Sequence, residues 1–244
     1  YNVPLFAVTS TPELMGKVDS VFTLQPSVIR EVETMLQFLK NKEFKKVAVL
    51  YDGSSDSLTA GAKYFREHVG VPIVVFESYG SDSDQNTVNL KIKNESPDLV
   101  YILGVDKAVG PIVRKLREIK YTGNIAGFSG IESDTFLTST GSSSEGVILT
   151  SVPFSCDSVA KKYCARYKDT YNGRSPQQYG AFVYDLVHNS LKNNCIANKK
   201  TSCFIESVYK DTTTGGFGFD EFGDLGTESK IVVKKIVNGK FISI

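Results

Sequence analysis

The chain has 244 residues, 41% hydrophobic and 23% charged, enough to bury a sizeable core as one large domain or two lobes. Its 28 basic and 27 acidic residues leave a formal charge of +1, with no long block of either sign, which argues against nucleic acid or an acidic surface as the main partner. No apolar run is long enough to cross a bilayer as a helix.

The chain begins at Tyr1 with no methionine and no signal-type stretch, which leads to the expectation of a removed targeting segment or an origin inside a longer sequence. In chain order, five apolar, β-branched runs follow: VPLFAV (3–8), KVAVLY (46–51), PIVVFE (72–77), DLVYILG (98–104) and NIAGF (124–128), with EGVILTS (145–151) as a sixth. Near-continuous hydrophobicity predicts strands buried on both faces, as in parallel sheets. Between them, Val28, Val32, Met35, Leu36 and Leu39 share a helix face, as do Leu58, Ala62, Phe65 and Val69, and Val109, Ile112, Val113, Leu116 and Ile119. Alternating strands and amphipathic helices predict an α/β parallel-sheet fold with right-handed crossovers.

After Pro153 two helices are predicted, one carrying Val159, Tyr163, Tyr167 and Tyr171, the other Tyr179, Phe182, Val183, Leu186 and Leu191. Near the end, Asn238-Gly239 between IVVKKIV and KFISI predicts a type I′ hairpin. The four cysteines contain no CxxC pair, which argues against zinc. Cys156 and Cys164, read as sharing one helix, would stand about 12 Å apart, beyond disulfide reach. Cys195 and Cys203 flank a polar loop and form the candidate bridge, given an oxidising compartment.

Ligands of open parallel sheets sit beyond the carboxyl ends of the strands. Those ends read TSTPE (9–13), DGSSDS (52–57), SYGSDSD (78–84), GVDKA (104–108) and SGIES (129–133), a rim of hydroxyls, acids and glycines. Such a rim can surround a small polar molecule, and the same residue types also cap helices at any βα junction. Enzyme signatures are missing. Gly53 and Gly61 fit no P-loop frame, GFSGI (127–131) misses GxSxG at Ile131, and both histidines read as surface residues. A phosphoacceptor role for Asp52 would require acids after the first strand, where TST stands instead. No catalytic residue, metal ligand or cofactor is therefore expected.

The stretches VPLFAVTSTPELMGKVDSVFTLQPS (3–27), KKVAVLYDGSSDSLTAGAKYF (45–65), LKIKNESPDLVYILG (90–104), VGPIVRKLREI (109–119), EGVILTSVPF (145–154) and FDEFGD (219–224) resemble, in order and spacing, the type I periplasmic solute-binding proteins, and among them the leucine/isoleucine/valine-binding branch. The resemblance implies a two-lobed, non-catalytic receptor whose lobes close over an amino acid or small carboxylate. It would act in the periplasm or outside the cell and hand its solute to an ABC-type membrane permease or a sensor. Residues 28–153 plus 229–244 would form a complete α/β lobe, and 1–27 plus 154–228 a partial one, since members carry further βα units before the VPLFAVTS stretch. A homo-oligomer covering the incomplete lobe is one expectation from that departure.

The resemblance also implies site residues. Ser10 and Val8, with Thr9 between them, match the carboxylate-holding loop; Asp56 and Ser57 stand where members often carry an aromatic; Val105 or Asp106 replaces another. The acid that usually meets a solute ammonium falls at Ser129, with Glu132 or Asp106 as substitutes. Two alternatives stay open: a sensory or structural module that no longer binds solute, and a doubly wound α/β enzyme.

Overall fold

The computed structural model describes residues 4–8, 20–80, 85–154, 156, 160–192, 202–205, 208–210, 212–226 and 229–244. It divides into two units, residues 28–151 with 232–244 and residues 1–27 with 152–231.

The first of these units is built on strands β3 (Val47–Asp52), β4 (Ile73–Tyr79), β5 (Leu99–Leu103), β6 (Asn124–Gly127) and β7 (Ile148–Ser151). They lie parallel in the order β7-β6-β5-β3-β4, and β10 (Val232–Val237) and β11 (Lys240–Ser243) extend the β7 side antiparallel. Because side chains alternate along a strand, each strand feeds two cores. Val47 and Val49 of β3 and Tyr101 and Leu103 of β5 join Val28, Val32 and Met35 of α1 (Val28–Leu39) and Leu58, Ala62 and Phe65 of α2 (Asp56–His68). Ala48, Leu50, Val100 and Ile102 face the other way, against Ile92 of α3 (Gln85–Glu95), Val109, Val113 and Leu116 of α4 (Asp106–Glu118), and Phe136 of α5 (Asp134–Thr140). With both faces covered, the strands can be apolar throughout, which is what made them legible.

Helices α1 and α2 approach closely at Gly61, where a Cβ would lie 2.5 Å from Val28 Cγ1. The β10–β11 turn needs left-handed backbone at two successive residues, and Asn238 (φ 51) and Gly239 (φ 68) supply it.

The other unit holds β1 (Leu5–Ala7) and β2 (Val21–Thr23), a parallel pair, together with α6 (Lys161–Thr170), α7 (Gln178–Lys192) and the short antiparallel pair β8 (Val208–Tyr209) and β9 (Phe217–Gly218). Its core is aromatic: Phe22, Phe182, Phe204, Tyr209, Phe217 and Phe219, with Phe6 stacked on Phe22 at 5.1 Å. Asp185 of α7 lies in this core and accepts from the N–H and hydroxyl of both Thr213 and Thr214, which fixes the glycine-rich loop to the helix. Burial raises its carboxyl above the ordinary range against the pull of those bonds.

One expectation is overturned here. Cys156 and Cys164 are joined by a disulfide, with a Cα–Cα separation of 5.7 Å. The helix begins only at Lys161, so the two cysteines do not share one helix and the 1.5 Å-per-residue spacing does not apply between them. Cys203 is also disulfide-bonded, and Cys195 lies outside the described residues.

Phe65 is fully buried and sits 4.5 Å from the Tyr101 ring, between α2 and β5. Phe65→Ala should cost about 3–5 kcal/mol through lost burial plus the residual cavity, read as a lower urea midpoint with an unchanged denaturant slope.

Candidate functional site

Four adjacent parallel strands of the larger sheet end in polar groups. The end of β3 makes an Asx turn, its Asp52 accepting from the N–H (2.9 Å) and hydroxyl (2.6 Å) of Ser54. Ser55 then caps α2 by accepting from the Leu58 N–H, and its Oγ lies 3.1 Å from Ser57 Oγ. Asp56 is exposed on the first turn of α2, where the helix dipole favours an acid. After β5, Asp106 opens α4 and accepts from the Lys107 N–H (2.7 Å) and from Ser133 Oγ (2.8 Å). The strand end is held from below by the Tyr79 hydroxyl, which donates to the Leu103 carbonyl at 3.1 Å.

Beyond β6 and β7 the rim is denser. Ser129, only 3% exposed, donates its N–H (2.9 Å) and its hydroxyl (2.6 Å) to the carboxyl of Glu31. Thr150 of β7 donates to the same carboxyl at 3.0 Å. Glu31 is 1% exposed, and desolvation pushes its pKa up to about 7, opposed by the Ser129 and Thr150 bonds and reinforced by the charge of Glu132. Three residues on, Glu132 accepts from the Ser151 hydroxyl and from Lys234 Nζ at 2.6 Å. That ion pair is largely desolvated, with side-chain exposures of 4% for Lys234 and 13% for Glu132.

The structure thus places Asp56, Ser57, Asp106, Ser129 and Glu132 at the carboxyl ends of β3, β5 and β6 in one unit. Val8 is half-exposed in the other unit, and Thr9 and Ser10 lie outside the described residues. Ser129 and Glu132 join one largely buried polar cluster, whereas Asp106 bonds Ser133 and Lys107 and Asp56 stays exposed on α2. Glu31, Thr150 and Lys234 escaped the sequence reading. Glu31 was nonetheless visible as an acid three residues after Val28 and four before Met35, inside the apolar stripe of α1. Lys234 similarly alternates with Val232 and Ile236 on one strand.

A surface groove of about 560 Å³ lies at the opposite end of the sheet, lined by Lys93, Asp98, Tyr121 and Asn124 at the amino ends of β5 and β6. There Asp98 is occupied by the backbone N–H groups of Lys45 and Lys46, which hold its carboxyl below the ordinary range. That end of a parallel sheet is not where ligands gather. No group of acids, histidines or cysteines able to hold a metal ion occurs among the described residues.

The family model described as "Periplasmic binding protein" matches residues 1–192. An "Amino acid binding protein" of Pseudomonas aeruginosa is 26% identical over 214 residues, 81% of this chain and 55% of that one. A "Leucine-, isoleucine-, valine-, threonine-, and alanine-binding protein" of the same organism is 26% identical over 191 residues, 74% of this chain and 50% of that one. The chain therefore spans about half the length of the curated relatives it matches. Among solved structures, a leucine binding protein LivK of Thermotoga maritima has a TM-score of 0.86 at 22% identity, covering 100% of this chain and 72% of the other. LivJ of Streptococcus pneumoniae, in complex with isoleucine, has a TM-score of 0.85 at 20% identity, covering 100% and 73%. These likenesses establish the fold as that of the type I periplasmic binding proteins.

Two measurements check Glu31 and Glu132. Because the folded pKa of Glu31 is raised from 4.5 to about 7, its contribution to stability is present below about pH 4.5 and is lost as pH rises towards 7. Wild type should lose about 3 kcal/mol more than Glu31→Gln across that window in pH-dependent urea unfolding. Glu132→Ala should cost about 3–5 kcal/mol by removing the carboxylate that offsets the buried Lys234 charge, and adding Lys234→Met should recover most of the loss.

Proposed function

The chain belongs to the periplasmic binding protein family, and we propose that it captures a small polar solute, such as an amino acid, without chemistry, on behalf of a membrane permease. The observation that carries this reading is the alignment of polar termini on four neighbouring strands, β3, β5, β6 and β7, at the ligand-bearing end of the sheet. In this reading the rim forms one wall of the solute site. Asp56, Ser57, Asp106, Ser129 and Glu132 belong to it, and Val8, Thr9 and Ser10 are contacts carried over from the resemblance. Hydroxyls and carboxylates of this kind suit a zwitterionic or cationic solute, which needs acceptors more than apolar walls. The proposed setting is outside the cytoplasm, in keeping with the description of the matched family, "Periplasmic binding protein". No described helix is long and apolar enough to cross a membrane.

One observation favours a second reading, a receptor-like module that no longer binds. Asp106, Ser129 and Glu132 already have intramolecular partners, so a solute would have to share or displace them.

A thermal-shift screen of the common amino acids and short carboxylates separates the two. At a ligand concentration about 100-fold above Kd, a working site adds about 2.7 kcal/mol of stability. A clear upward shift with at least one amino acid is expected; a flat response across the panel would favour the non-binding module.

A further inference from the structure

The amino ends of the strands form the far pole of the larger unit, and two grooves lie there. The groove of about 560 Å³ runs beside the starts of β5 and β6. A second, of about 700 Å³, lies between the last turns of α1 and α2 and reaches Val71, just before β4. Phe44, half-buried against the core, lines both. Because the sheet order is β6-β5-β3-β4, the pair of grooves follows consecutive strand starts. At about 4.8 Å between strands these span about 15 Å, the length of about ten residues of helix. Leu36, Leu39, Val69 and Val71 give the second groove apolar walls.

The surface around Phe44 is basic. Lys40, Lys42, Lys45, Lys46, Lys93 and Lys120 are all exposed, and no ion pair among the described residues includes any of them. Of the acids at this pole, Glu118 is paired with Lys115, Glu33 accepts from the Tyr64 hydroxyl, and Asp98 accepts from two backbone N–H groups. Glu43 and Glu95 are exposed. Six lysines thus face four acids besides the paired one, in a chain whose whole charge is +1. The Asp98 bonds also fix the backbone of the lysine-rich loop, so its charges are presented on a rigid support.

Backbone strain marks the same place. Four non-glycine residues have left-handed backbone among the described residues. Two are asparagines, which tolerate it; the others, Ser96 (φ 47) and Lys120 (φ 64), both line the first groove. They follow the ends of α3 and α4, where glycine is the easy residue. The helix dipole returns part of the cost at Lys120 and none at Ser96. Held strain of this kind gathers where a surface has something to bind.

We propose that this pole is a docking surface for an acidic, amphipathic segment of a partner protein, its apolar side chains seated in the two grooves beside Phe44 and its carboxylates met by Lys42, Lys93 and Lys120. Small ligands of a parallel sheet gather at its other end, which leaves this one to a longer occupant. A flat bilayer cannot enter recessed grooves, whereas a helix with one apolar face can. The lysines on the rims select its sign.

The test is fluorescence anisotropy of a labelled synthetic peptide of Glu-Glu-Leu-Leu repeats with the full chain. The other probes are Lys-Lys-Leu-Leu repeats, polyglutamate and phosphatidylglycerol vesicles. The acidic amphipathic peptide should bind, and more weakly as salt rises. Lys42→Glu, Lys93→Glu and Lys120→Glu combined should weaken it about tenfold or more with an unchanged urea midpoint. Equal binding by that variant, equal binding of the lysine peptide or of polyglutamate, or binding of the vesicles alone would overturn the proposal, and so would failure of every probe. Amide-shift mapping on wild type needs no variant. Peptide-induced shifts are expected at Phe44, Ser96, Lys120 and Thr122, and shifts confined to other residues would overturn the docking surface.

Discussion

Two glutamates, Glu31 fully buried and Glu132 largely so, organise the places where the backbone enters and leaves the larger unit. The chain crosses its boundaries at 27/28, 151/152 and 231/232. Glu31 lies on the first turn of α1, just past the first crossing, and bonds Thr150, just before the second. Glu132 bonds Ser151 at the second crossing and Lys234 just past the third. Each connection is made inside one unit, between elements distant in sequence. Three stretches of chain that enter or leave the unit are thereby fixed to each other within it, at the cost of desolvating two carboxyls. Stability alone does not call for this arrangement, since apolar residues of similar size would fill the same space as well or better. The polar alternative makes sense where the ends of these strands have something to bind.

The sheet explains why such a cost can be borne. With helices on both faces, β3 and β5 alternate between two cores and are buried along their whole length. A frame of that kind is stiff enough to hold unsatisfied or partly satisfied groups at its rim, where a looser structure would rearrange to relieve them. The smaller unit is of another character. Its parallel pair β1–β2 is short, its core is a cluster of phenylalanines, and Val183, Tyr184, Val187 and Leu191 of α7 are exposed.

Much of the larger unit could be read from residues alone. The runs at 46–51, 72–77, 98–104, 124–128 and 145–151 coincide with β3 to β7, because burial on both faces leaves an unbroken apolar signature. Helix α3 escaped notice because Leu90 is exposed and Ile92 is its one buried aliphatic, so no stripe forms. Strand β2 is three residues long, too short for periodicity to register. In the rim the strand ends were legible, since turns and caps demand small polar residues, but the bonds among them were not. No local pattern announces that Ser129 meets a side chain 98 positions away. Glu31 could have been found, because an acid within an apolar helical stripe must be paired, protonated or functional. The cysteine reading failed on a boundary: it took the stretch from Cys156 to Cys164 as one helix, whereas α6 begins only at Lys161.

The Cys156–Cys164 link closes a loop with a sequence separation of only eight. By loop-closure entropy such a tether is worth about 2–3 kcal/mol, nearly all of it local to the approach to α6. Its benefit disappears wherever glutathione and thioredoxin keep thiols reduced. A polypeptide made in the cytosol of an expression host would therefore start from a looser entrance to that helix than one matured on the oxidising side of a membrane.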